Sequence, residues 1–193
     1  MKPVITDIGQ FAIHINDAIF IFTPSFLNMT KIGTPSEIVK TFSIILGAED
    51  SVSEQLFIDL VDKVLTACCE SDCSVITGYL EGNENKLVTV DGLTIHDRVI
   101  LAQHLLKHGL IGESQLKKKS DNADYSDEFH AKKFVYMAVA HLGMSEVDAW
   151  NMSMTAFQEA MEAKFPTNDK EIISQDDYDS AMAYADSVVG LNS

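Results

Sequence analysis

The sequence predicts an α+β protein: an N-terminal part with β-hairpins and amphipathic helices, followed by an all-helical C-terminal part. Three observations predict it. Phe11, Ile13 and Ile15 alternate with smaller or polar residues, as strands do. Between residues 53 and 70, apolar side chains recur at spacings of three and four, as on one face of a helix. Residues 134–165 then read as three short helices separated by two sharp corners. At 193 residues, 46% hydrophobic and 22% charged, the chain can bury a core and is not a disordered polymer. The patterning divides it into an α+β domain at 1–113, a polar linker at 114–126 and a helical domain at 127–193.

The first strand signal is residues 4–8, followed by a hairpin in which Asn16-Asp17 turns the chain between Phe11, Ile13, Ile15 and Ile19-Phe20-Ile21-Phe22. Thr34-Pro35-Ser36-Glu37 combines a cap, a proline at the first helical position and an acid at the third. The helix it opens carries Ile38, Phe42 and Ile45 and ends at Gly47. Ser53 begins the next, with Phe57, Leu60, Val61, Val64, Leu65 and Cys68 forming a broad apolar face. Residues 75–79 and 87–90 read as two strands about a polar turn, and Asp91-Gly92 as a further turn. Thr94 and Asp97 cap a helix that reaches Lys107 or His108 and stops at Gly109.

In the helical part, the first helix runs to His141-Leu142 and stops at Gly143, which tolerates the left-handed backbone of a helix end. Ser145 caps the second, with Glu146 and Asp148 in its first turn. Trp150, the sole tryptophan, and Met152 close it. Ser153 or Thr155 caps the third, Thr155 and Gln158 having capping-box spacing, and Phe157, Ala160, Met161 and Phe165 lie on one side. Trp150 is expected to anchor both helices at this corner. After a break at 166–170, Ser174 caps a last helix striped with Tyr178, Ala181, Met182, Ala185, Val188 and Val189.

The net charge of −15 repels nucleic acid and anionic membranes and suits basic partners. Met1-Lys2-Pro3 does not open a signal peptide, and no apolar run is long enough to span a bilayer. Cys68, Cys69 and Cys73 form one odd-numbered cluster, as in a reducing compartment. Chemistry has little support. His104 and His108 have the spacing of a zinc pair but no intervening glutamate and no third ligand in view. The cysteines lack a CxxC pair and read as buried reduced thiols. His14, His96, His130 and His141 form no constellation with a nucleophile, and no P-loop, GxGxxG or nucleophile elbow is present. Lys117-Lys118-Lys119 reads as a solvated linker, and Asp176-Asp177 as a helix start. The expectation is a binding protein, with no catalysis, cofactor or metal.

Six of the eight methionines, Met137, Met144, Met152, Met154, Met161 and Met182, fall in the helical part. They serve either as core fillers or as an adaptable surface for apolar segments. Residues 142–153, LGMSEVDAWNMS, resemble the helical corner of tail assembly chaperones from long-tailed bacteriophages, where Leu-Gly, a polar cap, an acid and Trp-x-Met-Ser/Thr precede the next helix. The resemblance implies a protein of the host bacterial cytoplasm that binds the tape measure protein and recruits tail tube subunits, with a homo-oligomer possible. Leu142, Gly143, Met144, Ser145, Trp150, Met152, Met154, Phe157 and Met161 are then the partner-binding or corner-forming residues. Two readings stand beside it: a structural head or tail accessory protein of the virion, and a small zinc-dependent enzyme built on His104 and His108.

Overall fold

Phe11, Ile13 and Ile15 face Phe22, Phe20 and Ala18 across an antiparallel hairpin of β1 (Phe11–Ile15) and β2 (Ala18–Phe22). The computed structural model describes residues 3–15, 17–47, 52–77, 79–81, 86–88, 93–112 and 127–166. Within them the protein is α+β, with an N-terminal part of hairpins and helices and an all-helical C-terminal part. The sequence-predicted linker, Asp91-Gly92 and the helix after Ser174 lie outside the described residues. The Phe11 and Phe22 rings stack 4.8 Å apart, and β2 buries Phe20 and Phe22. Its far edge is covered: Thr23 N–H donates to the Cys68 carbonyl (2.9 Å) and Glu70 N–H to that of Ile21 (3.0 Å).

Residues 4–8 do not form the expected strand. Thr6–Ile8 is a 3-10 turn ending at Gly9, whose φ of 86° is left-handed. The Gln10 side chain accepts from Ile5 N–H at 3.0 Å, which bends the segment back on itself. A Cβ on Gly9 would lie 2.3 Å from that of His108, so only glycine lets the chain approach there.

Helix α1 (Phe26–Thr30), too short to show periodicity, follows its N-cap Ser25. Helix α2 (Pro35–Ile45) begins with the predicted capping box: Thr34 N–H donates to Glu37 Oε2 at 2.7 Å, and Glu37 N–H to the Thr34 hydroxyl at 3.4 Å. The Thr34 N–H and then the Thr34 hydroxyl, which donates to Glu37 Oε2 at 2.8 Å, hold the Glu37 carboxyl below its ordinary value. Helix α3 (Glu54–Cys68), capped by Ser53, buries Val61, Val64, Leu65 and Cys68 against helix α5 (Ile95–Leu106), capped by Thr94.

Between them the expected strand at 75–79 is replaced by a helical turn, α4 (Ser74–Thr77), and only Tyr79 enters a strand. The Asp72 carboxylate accepts Ser74 N–H, and the Cys73 carbonyl accepts from Ile76 and Thr77; these local bonds outweigh the β-propensity of Val75-Ile76-Thr77. Strand β3 (Tyr79–Glu81) pairs antiparallel with β4 (Lys86–Val88).

Gly109 does not end α5. The helix continues as a π-helical turn, Lys107–Ile111, and closes at Gly112. Gly109 is small because α1 crosses it: a Cβ there would sit 2.6 Å from Met29 Sδ. Helix α6 (Ala131–Met137) likewise runs into a π-helical turn, Ala138–Leu142, before α7 (Glu146–Trp150) and α8 (Met154–Lys164). Both π-helical turns pack against α8.

Residues before 113 and after 126 contribute to one buried cluster. At its centre the Phe26 ring meets Phe134 at 5.8 Å, Phe157 at 6.0 Å and Phe129 at 6.5 Å. The main chain joins there too. Ser25 and Ser153, the N-caps of α1 and α8, form an antiparallel bridge, and Phe26 N–H donates to the Met152 carbonyl at 2.8 Å. A free amide of the first turn of α1 is thereby satisfied by the far end of the chain.

Arg98 of α5 is buried and reaches both Asp62 oxygens of α3 (2.6 and 2.7 Å) and the Thr77 carbonyl (2.9 Å). Burial raises the Asp62 carboxyl above its ordinary value, and Arg98 pulls the other way. Asp62→Ala leaves a cation buried without its counter-charge, and chemical denaturation should show a loss of about 3–5 kcal/mol. Asp62→Leu combined with Arg98→Met, which removes both charges, should recover most of that loss.

Candidate functional site

The corner at 142–153 is built by local capping chemistry. Gly143 adopts φ 69°, ending the π-helical turn at Leu142. The Ser145 hydroxyl accepts from Asp148 N–H at 3.1 Å and donates to its carboxylate at 2.6 Å. Trp150 Nε1 donates to Glu146 Oε1 at 3.3 Å, one turn back. Ser153 is the cap of α8, accepting from Ala156 N–H at 3.1 Å. Thr155 is not a cap: it lies inside the helix, fully buried, against His108 Nδ1 at 2.9 Å. Gln158 closes no capping box, because its amide donates to the Ile111 carbonyl at 2.6 Å.

The predicted site residues divide by burial. Met154 and Phe157 are core residues. Leu142, Met144, Trp150, Met152 and Met161 are half-buried and pack on the core, while Gly143 and Ser145 are exposed. Trp150 therefore covers the corner, and the fully buried residue beside it is Ala149. Phe165 does not share the buried side of α8. It lies past the helix end, 49% exposed, edge-on to His141 at 5.7 Å. Exposed apolar surface in this part is supplied by Val147 (70% exposed), Tyr136 and Phe165.

A second feature was not visible in the sequence. Between α2, the π-helical turn of α5 and the start of α6 lies a groove of about 490 Å³, with Val39, Phe42, Leu110, Phe129 and Phe134 among its lining residues. Asp127, Glu128 and Lys133 bring charge to it, and His130 lies 2.8 Å from Glu128. These residues come from three separate segments, and the only local signal was the apolar character of Phe129 and Phe134.

His104 and His108 do share a helix face, with rings 4.4 Å apart. His104 Nε2 is hydrogen-bonded to the Gly9 carbonyl at 3.2 Å, and His108 is buried against Thr155. His108 is thus an interior residue joining α5 to α8, and not a residue at a free helix end. Among the described residues no three His, Cys, Asp or Glu side chains gather as a metal centre requires. Cys68, Cys69 and Cys73 are free and buried. Cys69 and Cys73 interact side chain to side chain, which lowers the Cys69 thiol and raises that of Cys73, while burial raises that of Cys68. Among the described residues no helix is long and apolar enough to cross a membrane.

Burial ranks the corner substitutions. Phe157→Ala should cost about 3–5 kcal/mol, the range for a large core aromatic, and Trp150→Ala about half of that because the indole keeps part of its surface in water. Urea unfolding followed by circular dichroism reads both; a larger loss at Trp150 would reverse the assignment of core and cover.

No curated protein and no solved structure matches the chain. Residues 49–180, which hold α3 to α8 and the whole corner, match the family of unknown function (DUF6246), and the chain belongs to that family.

Proposed function

We propose that this protein is a tail assembly chaperone of a long-tailed bacteriophage. On this reading it is a non-catalytic binder, working without metal or cofactor in the host bacterial cytoplasm, that holds the tape measure protein and recruits tail tube subunits around it. One observation carries the reading: the run that resembles the chaperone corner is used, residue by residue, to build a capped double turn. Gly143 supplies the left-handed stop, Ser145 and Ser153 the two caps, and Trp150 the cover over the joint.

The surface supports the same reading. A long apolar client is best held by several weak contacts, which exclude water yet release when assembly proceeds. Val147, Tyr136 and Phe165 offer such contacts singly, and the groove beside Phe134 offers a concave one. The net charge of −15 keeps copies of the protein apart while they carry that client.

Co-expression with the tape measure protein from the same genome tests the proposal. The expected result is a soluble complex that co-purifies, with this chain missing from finished particles. Failure to rescue the tape measure protein, with this chain present in particles at constant copy number, would overturn it in favour of a structural head or tail accessory protein.

A further inference from the structure

The groove between α2 and α6 is held open by the fold itself. Phe129 N–H donates to the Pro35 carbonyl at 3.0 Å, which pins one wall to the start of α2. Phe129 and Phe134 stack on each other at 5.7 Å, and both belong to the aromatic cluster around Phe26. Those rings cannot swing into the groove without leaving the core. Val39, Phe42 and Leu110 consequently stay half-buried beside it, and Ile111 is 51% exposed at its end. A volume of about 490 Å³ is in the range of sites that enclose a small ligand or a few side chains of a peptide.

We infer that this groove is a peptide-docking site that takes an apolar helical segment bearing lysine or arginine beside its apolar residues. Charge selects that occupant over an acidic one. The exposed carboxylate of Asp127 stands at the groove; Glu128 beside it is engaged with His130 at 2.8 Å, and Lys133 also lines the wall. The preference for a basic segment over an acidic one therefore comes from Asp127 together with a body whose net charge is −15. The segment's apolar residues enter the floor between Phe42 and Phe134, and its basic residues meet Asp127. This inference rests on the chaperone reading for the identity of the client, and it moves the contact from the corner to the groove.

The test uses the full chain and a fluorescent amphipathic Leu/Lys helical peptide, with its Leu/Glu counterpart as control, followed by anisotropy at physiological ionic strength. The Leu/Lys peptide is expected to bind and the Leu/Glu peptide to bind at least roughly tenfold more weakly. Val39→Glu and Ile111→Glu should each weaken Leu/Lys binding by roughly tenfold or more, by placing a charge on apolar contact surface. Ile111→Glu guards against misfolding because that side chain is already half exposed. Asp127→Lys should weaken binding roughly three- to fivefold. Both glutamate variants make the protein more acidic, so unchanged or tighter binding would mean that the peptide is held by general charge, and the site would be lost.

Equal binding of the two peptides would remove the assigned chemistry. Binding that emerges only after residues 116–119 are replaced by Gly and Ser would make the chain's own segment the occupant, and self-association abolished by Ile111→Glu would make it a second copy; either result overturns the inference. Groove-dependent peptide binding without a tape measure complex would leave the groove and remove the chaperone reading. A tape measure complex indifferent to Val39→Glu and Ile111→Glu would do the reverse.

Discussion

Phe26 is the residue through which the two ends of the chain hold each other. Its ring contacts Phe129, Phe134 and Phe157, all from beyond residue 126, and its amide donates to the Met152 carbonyl. Each aromatic contact of this kind contributes about 0.5–1.5 kcal/mol beyond the area it buries. The main-chain bond adds directional constraint that ring packing lacks. Because Ser25 and Ser153 cap their helices and also bridge to each other, α1 and α8 start side by side. The corner before α8 must then turn the chain tightly, and Gly143, Ser145 and Ala149 accommodate that turn.

The parts of this architecture that were legible in the sequence are those decided within a few residues. Thr34 with Glu37, Ser53, Thr94 and Ser145 cap the helices they were expected to cap, and Ser153, one of the two residues expected at the start of α8, caps it, because a cap bond reaches only to the third residue. The hairpin was legible because Phe11, Ile13 and Ile15 alternate along the strand, on the face that carries buried Phe20 and Phe22. What was not legible depends on distant partners. Gly109 carries the signature of a helix stop, yet it is a point of close approach for Met29, eighty residues earlier in the chain. Residues 4–8 have strand composition, but Gly9 must fit against His108 and the segment turns instead. Arg98 with Asp62 and His108 with Thr155 are pairings that no spacing rule connects.

The same division explains the candidate site. The corner was found from sequence because it is a run of contiguous capping residues, but contiguity says nothing of which side faces water. Met154 and Phe157 proved to be core, and the half-buried methionines lie over it. Apart from Val147, the concave apolar surface is assembled elsewhere, where α2, the π-helical turn at 107–111 and the first turn of α6 meet. Corner and groove are nonetheless coupled through Phe134 and Phe157, whose rings meet edge to face at 5.7 Å. The groove wall and the corner therefore share one aromatic cluster.

The account stands on that cluster making the chain one cooperative unit. The most direct measurement is urea unfolding of the full chain, followed in parallel by Trp150 fluorescence, which reports the corner, and by amide exchange at Phe20 and Phe22, which reports the hairpin. The account predicts one midpoint for both probes, moved downward together by Phe26→Leu. Separate midpoints, or a Phe26→Leu shift confined to the tryptophan signal, would contradict it.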